Sequence, residues 1–147
     1  SKTAIRTSDT RYFVDPSIAV AALGITPDKL MHDMNTFGLL FETMAVRDLR
    51  VYADAIDAKV YHYRDKDELE CDAIIERRDG SYGLVEIKLG GDYAVSEAQI
   101  TLNALAKKIN TDKVGEPSFR TVLTAVGKYA LRLEDGTFVV PIGCLKH

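Results

Sequence analysis

The sequence predicts an α/β fold, a mixed β-sheet flanked by helices, in the order helix, three strands, helix, strand and C-terminal β-hairpin. Three observations carry this reading. Residues 36–55 repeat Phe37, Leu40, Phe41, Met44 and Tyr52 at helical spacing. Residues 60–89 hold three strand-like runs, the second and third joined by the turn signal Asp79-Gly80. A second amphipathic stretch, residues 96–109, places Ala98, Leu102, Leu105, Ala106 and Ile109 on one side and lies between two strands. A crossover helix of that length implies a mixed sheet with helices on its faces.

Taken in order, residues 1–10 are polar and expected to be a flexible start. Residues 11–35 are expected to form a short strand (11–14) and two short helices. Asp15-Pro16 and Thr26-Pro27 each supply a capping side chain and a proline for the first turn, and Gly24 closes the first helix. Residues 36–126 form the expected core: the long helix, strands at 60–64, 69–76 and 82–89, the break at Gly90-Gly91, the amphipathic helix, and a strand at 119–126. A hairpin over residues 129–142 turns at Asp135-Gly136. At 147 residues one domain is expected, with enough chain for a substantial core.

Hydrophobic content of 46% and charged content of 28% are ordinary for a soluble globular protein. A formal net charge of −3 excludes a strong nonspecific grip on nucleic acid through a global positive field. The two cysteines, Cys71 and Cys144, form no metal-ligand spacing, so a reduced cytoplasmic setting is the default. No apolar run reaches transmembrane length and no signal peptide is present, so no membrane role is expected. The chain opens at Ser1-Lys2 rather than Met, as expected of a fragment of a longer protein or a trimmed chain. There is no internal repeat and no GxxxxGK[ST] phosphate loop.

The chemistry concentrates in residues 60–89. Asp72 and Glu86-Ile87-Lys88 lie among Ile74, Ile75, Leu84, Val85 and Leu89, where charge is costly unless it is paired or holds a metal. Strand alternation puts Glu86 and Lys88 on one face and Val85, Ile87 and Leu89 on the other. A two-residue Asp79-Gly80 turn would place Asp72 and Glu86 on opposite faces. A three-residue loop, Arg78-Asp79-Gly80 with Gly80 left-handed, pairs Arg77 with Ser81, Asp72 with Glu86 and Glu70 with Lys88. We expect the three-residue loop. It also sets Cys71 and Ala73 opposite Ile87 and Val85 on an apolar face. Two neighbouring carboxylates can hold a hard cation such as Mg2+, which keeps waters and accepts phosphate oxygens. A lysine two residues beyond the second acid would position the attacking water and offset charge on phosphorus oxygens. The competing reading is a plain salt bridge across a sheet face. Glu42 is a lone acid among apolar residues of the long helix, more in keeping with a boundary residue than a ligand on periodicity alone. Arg78, at the hairpin tip, is a candidate phosphate contact.

A helix glutamate, then an aspartate, then Glu-x-Lys on adjacent strands resembles the PD-(D/E)XK nuclease superfamily, with its restriction-endonuclease-like fold. More closely, Tyr12-Phe13-Val14-Asp15, Gly38-Leu39-Leu40-Phe41-Glu42, Tyr63-Arg64, Glu70-Cys71-Asp72 and Glu86-Ile87-Lys88 resemble an uncharacterised family. Its members form the C-terminal domain of prokaryotic AAA+ ATPases and carry a nuclease-like fold. The likeness runs over residues 11–145. It implies Asp72, Glu86 and the Ile87 carbonyl as ligands of Mg2+ or Mn2+, Lys88 as the catalytic lysine, and Glu42 as the helix acid completing the site. Glu70, Arg64 and Gln99 are accessory candidates, the last on a loose positional match. DNA or RNA is the implied substrate, and an upstream ATPase module the implied partner. Two other readings stand beside the nuclease: a silent nucleic-acid- or partner-binding module coupled to an ATPase, and a structural domain whose acids merely pair with Lys88.

Overall fold

The computed structural model describes residues 12–109 and 114–145. Helix α1, Pro16–Leu23, starts where the Asp15 carboxylate accepts the Ser17 N–H and ends at Gly24, whose left-handed φ of 60° no β-carbon opposes. Helix α2, Pro27–His32, is capped by Thr26, and Asp33 caps the long helix α3, Met34–Ala55. That aspartate starts α3 two residues before the predicted position. Residues 12–14 are not a strand. Their first side chain packs back on α3 instead, and Arg11 lies outside the described residues, as does the expected flexible start.

The remaining elements are β1 (Ala58–Arg64), β2 (Glu70–Arg77), β3 (Tyr82–Lys88), α4 (Asp92–Ile109), β4 (Phe119–Thr124), β5 (Leu131–Arg132) and β6 (Phe138–Pro141), followed by a 3-10 turn over Ile142–Cys144. They build one six-stranded sheet in the order β1-β2-β3-β4-β6-β5. β4 pairs parallel with both β3 and β6, and the other pairs are antiparallel. Helix α4 is the crossover that parallel pairing of β3 and β4 requires. The architecture is the expected mixed α/β sheet and is consistent with a restriction-endonuclease-like core.

Each face of the sheet is covered by one helix. Phe41, Ala45, Val46 and Leu49 of α3 pack on Ala73, Val85, Ile87 and Leu123. Ala98, Leu102, Leu105 and Ala106 of α4 pack on Ile74, Tyr82, Leu84 and Val122. β3 is therefore buried on both faces from Tyr82 to Ile87, and only its last residue emerges.

The β2–β3 hairpin adopts the three-residue loop. Arg77 donates its N–H to the Ser81 carbonyl, and Gly80 sits at φ 84°. The ladder runs from Glu76 opposite Tyr82 to Ala73 opposite Val85, so its next step brings Asp72 to Glu86. On the other side of β2 the register changes: Tyr61 faces Ile74, but Tyr63 faces Cys71. One residue of β1, His62, thus spans two residues of β2, Asp72 and Ala73. This bulge corrects the expected placing of Cys71. The extra residue reverses the side-chain phase beyond it, and Cys71 joins Tyr63 and Leu84 in the core beneath α4.

Candidate active site

The bulge ends the regular β2–β3 ladder just where the acids meet. In place of a main-chain bond, the Asp72 Oδ2 accepts the Ile87 N–H at 2.7 Å. The Asp72 amide in turn donates to the Glu86 carboxylate. Lys88 Nζ lies 2.8 Å from Glu86 Oε2 and 3.8 Å from Asp72 Oδ2. These three side chains, with Glu70 and Thr101 of α4, line a cavity of ≈ 200 Å³. A larger cavity of ≈ 370 Å³ lies by the hairpin end, lined by dispersed surface charges such as Asp54, Lys59 and Arg78. Only the smaller one gathers buried ionisable groups. Arg78 at that far end is separated from Lys88 by the length of β3, roughly 23 Å at 3.3 Å per residue. It pairs with Asp57 at 3.3 Å and lies outside the acid cluster.

Burial sets the electrostatics. Glu86 is 5% exposed, and its carboxyl is raised from 4.5 to about 7, first by burial and then by the Asp72 charge, against the pull of Lys88. Asp72 is raised for the same first reason, with Lys88 and the Ile87 N–H opposing. Burial acts to lower the Lys88 ammonium, but Glu86 and Asp72 outweigh it, so the lysine is held charged. Glu42 comes from the α3 side of the sheet. It accepts a hydrogen bond from Tyr12 Oη at 2.8 Å and is raised by burial and then by Asp72, with Tyr12 and Lys88 opposing. Three acids and one lysine thus crowd one end of β3 with an excess of negative charge.

The accessory candidates separate. Glu70 lines the cavity; its Oε1 lies 2.7 Å from His62 Nε2 and its Oε2 3.9 Å from Arg64. Arg64 is half exposed and reaches the cluster only through Glu70. Gln99 does not reach the site. It hydrogen-bonds Asp135, which also accepts Asn103 Nδ2 at 2.7 Å, and so ties α4 to the β5–β6 hairpin. Two residues at the site carried no assigned role in the sequence. Tyr12 stands in a quoted motif, but nothing local shows that it meets a residue thirty positions on. His62 sits between two tyrosines on β1; its ring is almost buried, and its Nδ1 finds no hydrogen-bond partner among the described residues.

Among the described residues no three His, Cys, Asp or Glu side chains converge as a ready cage for a metal. Mg2+ does not demand one, since it usually takes one or two carboxylates and keeps its waters. Asp72 and Glu86, brought together by register and destabilised by shared negative charge, match that donor chemistry. Ile87 faces β2 through its N–H, and in an extended strand its carbonyl leaves the same edge.

The family model described as Domain of unknown function (DUF4143) matches residues 37–145. The chain belongs to the DUF4143 family. Neither the curated proteins nor the solved structures include a match to it. The DUF4143 span contains Glu42, Asp72, Glu86 and Lys88, and begins after Tyr12. No helix among the described residues is long and apolar enough to cross a membrane.

Proposed function

We propose that this DUF4143 domain is a PD-(D/E)XK nuclease-like module that hydrolyses nucleic-acid phosphodiesters with Mg2+ or Mn2+ and works beside an AAA+ ATPase module of a longer chain. The observation that carries the reading is the buried cluster of Asp72 and Glu86 with Lys88 between them. A purely structural ion pair needs one acid; here burial, and after it the charge of a second buried acid, raise Glu86 to about 7. Strongly perturbed groups gathered in a cavity favour a functional site.

Asp72 and Glu86 would hold the cation, with the Ile87 carbonyl beside them. Bound there, the metal would polarise the phosphodiester and acidify a water. Lys88, charged and held by two carboxylates, would orient that water and offset charge gathering on the phosphorus oxygens. Glu42 adds negative charge from the α3 side. The Ile87 N–H keeps Asp72 in place, so one carboxylate oxygen is fixed and the other is left to bind. The net charge of −3 supports the second reading, a silent module that binds a partner and couples to the ATPase.

The test combines calorimetry and cleavage. Mn2+ should bind the wild-type chain weakly and fail to bind Asp72→Asn, whose amide still accepts the Ile87 N–H through its oxygen. With plasmid, single-stranded DNA and structured RNA at low salt, Lys88→Ala should lose roughly 10²–10³ in rate while keeping its Mn2+ affinity nearly intact. Cleavage undiminished in Lys88→Ala would refute the reading. Nucleic-acid binding without cleavage, with the ATPase module present, would replace it by the silent module.

A further inference from the structure

We propose that Tyr12 is a positioning residue of the acid site: its hydroxyl fixes one oxygen of Glu42 and turns the other toward Asp72 and Lys88. The inference rests on the metal-site reading above and extends the functional unit upstream of the matched family span, which begins at residue 37.

The geometry is specific. Tyr12 Oη donates to Glu42 Oε1 at 2.8 Å across thirty residues of sequence. The segment carrying Tyr12 is tied to α3 at two further points. The Arg50 guanidinium lies over the Tyr12 ring, 5.8 Å from its centroid, and Arg47 pairs with Asp15 at 3.0 Å. Helix α3 therefore acts as a rail: two arginines dock the segment, and the tyrosine reaches the one acid that α3 sends toward the cluster. The charges of Asp72 and Glu70 add, after burial and Glu42, to the upward pull on the Tyr12 phenol. Burial and the Glu42 carboxylate keep the phenol protonated far above its usual range, so it is a permanent donor. A protonated phenol that donates to a carboxylate suits a positioning role. Outer partners that orient groups around a metal commonly change its affinity by 10–100-fold.

The experiment uses the whole chain and Mn2+ alone. Calorimetry should show Tyr12→Phe binding Mn2+ roughly ten-fold more weakly than wild type, at the low end of that range, in a chain that still unfolds cooperatively. A double-mutant cycle with Glu42→Ala makes the role explicit: Tyr12→Phe should weaken binding no further once Glu42 is gone. In the wild type, the ¹³C signal of the Tyr12 ring should broaden on adding Mn2+, a readout that needs no variant to fold. Equal affinity of Tyr12→Phe and wild type, additive effects of the two substitutions, or an unbroadened Tyr12 signal under bound Mn2+ would each overturn the proposal while leaving the metal site standing. If the wild type shows no Asp72-dependent Mn2+ binding, the metal reading falls and takes the proposed purpose of Tyr12 with it.

Discussion

Replacing Glu86 by glutamine should stabilise the protein near neutral pH. Glu86 is 5% exposed, and its carboxyl rises from 4.5 to about 7 on folding. The folded chain therefore takes up this proton more readily than the unfolded chain. Its contribution favours folding at and below pH 4.5 and is lost as the pH climbs to about 7. At about 1.4 kcal/mol per pKa unit, that difference amounts to roughly 3 kcal/mol above pH 7. Glutamine keeps the shape of the neutral acid and carries no charge, so Glu86→Gln should escape the loss. In a chain of this size the gain corresponds to about 6–12 °C in melting temperature. The assay is thermal unfolding from pH 4.5 to 8.5, in chelator and again with Mn2+. The two proteins should melt together at pH 4.5, diverge steadily as the pH rises and reach the full gap above about pH 7, Asp72 and Glu42 adding shifts of the same sign to both. Mn2+ should narrow the gap by stabilising the wild type alone. Parallel melting curves across the range, or a variant less stable at pH 8, would show that Lys88 fully compensates Glu86 and that the site stores no electrostatic strain.

Two further substitutions probe the frame around the site. Gly80→Ala forces a side chain into φ 84° with open space around it, so only backbone strain is tested; a loss of about 1–2 kcal/mol in urea unfolding is expected, and an unchanged midpoint would contradict the left-handed loop. Asp135, held below the usual carboxylate range by Asn103, the Thr137 N–H and Gln99 against the cost of burial, stabilises the folded state above that range and loses the effect as pH falls. Asp135→Ala should therefore lower the melting temperature at pH 7 and match wild type in acid, and an equal loss at both pH values would refute the assignment.

How much of this was legible in the sequence depends on the distance over which each feature is decided. The helix starts at Asp15-Pro16 and Thr26-Pro27 were readable because a cap needs only the next two or three amides. The hairpin register was readable because Gly80 can sit left-handed and because side-chain alternation then admits one pairing that buries one apolar face. From that register the meeting of Asp72, Glu86 and Lys88 followed directly. The tertiary structure decided the rest. The bulge opposite His62 depends on how β1 and β2 match in length between the loop at Asp65 and the turn at Asp79, and it moved Cys71 to the other core. Gln99 went to Asp135 because α4 lies over the sheet at an angle that neither helix periodicity nor a positional match contains. The strand expected over residues 11–14 is absent from 12–14 because the Tyr12 side chain meets an arginine and a glutamate on α3 that no nearby residue announces. Local rules set elements and register through steric and hydrogen-bonding limits a few residues long. Which carboxylate is buried, and which tyrosine holds it, is set by the packing of layers against one another.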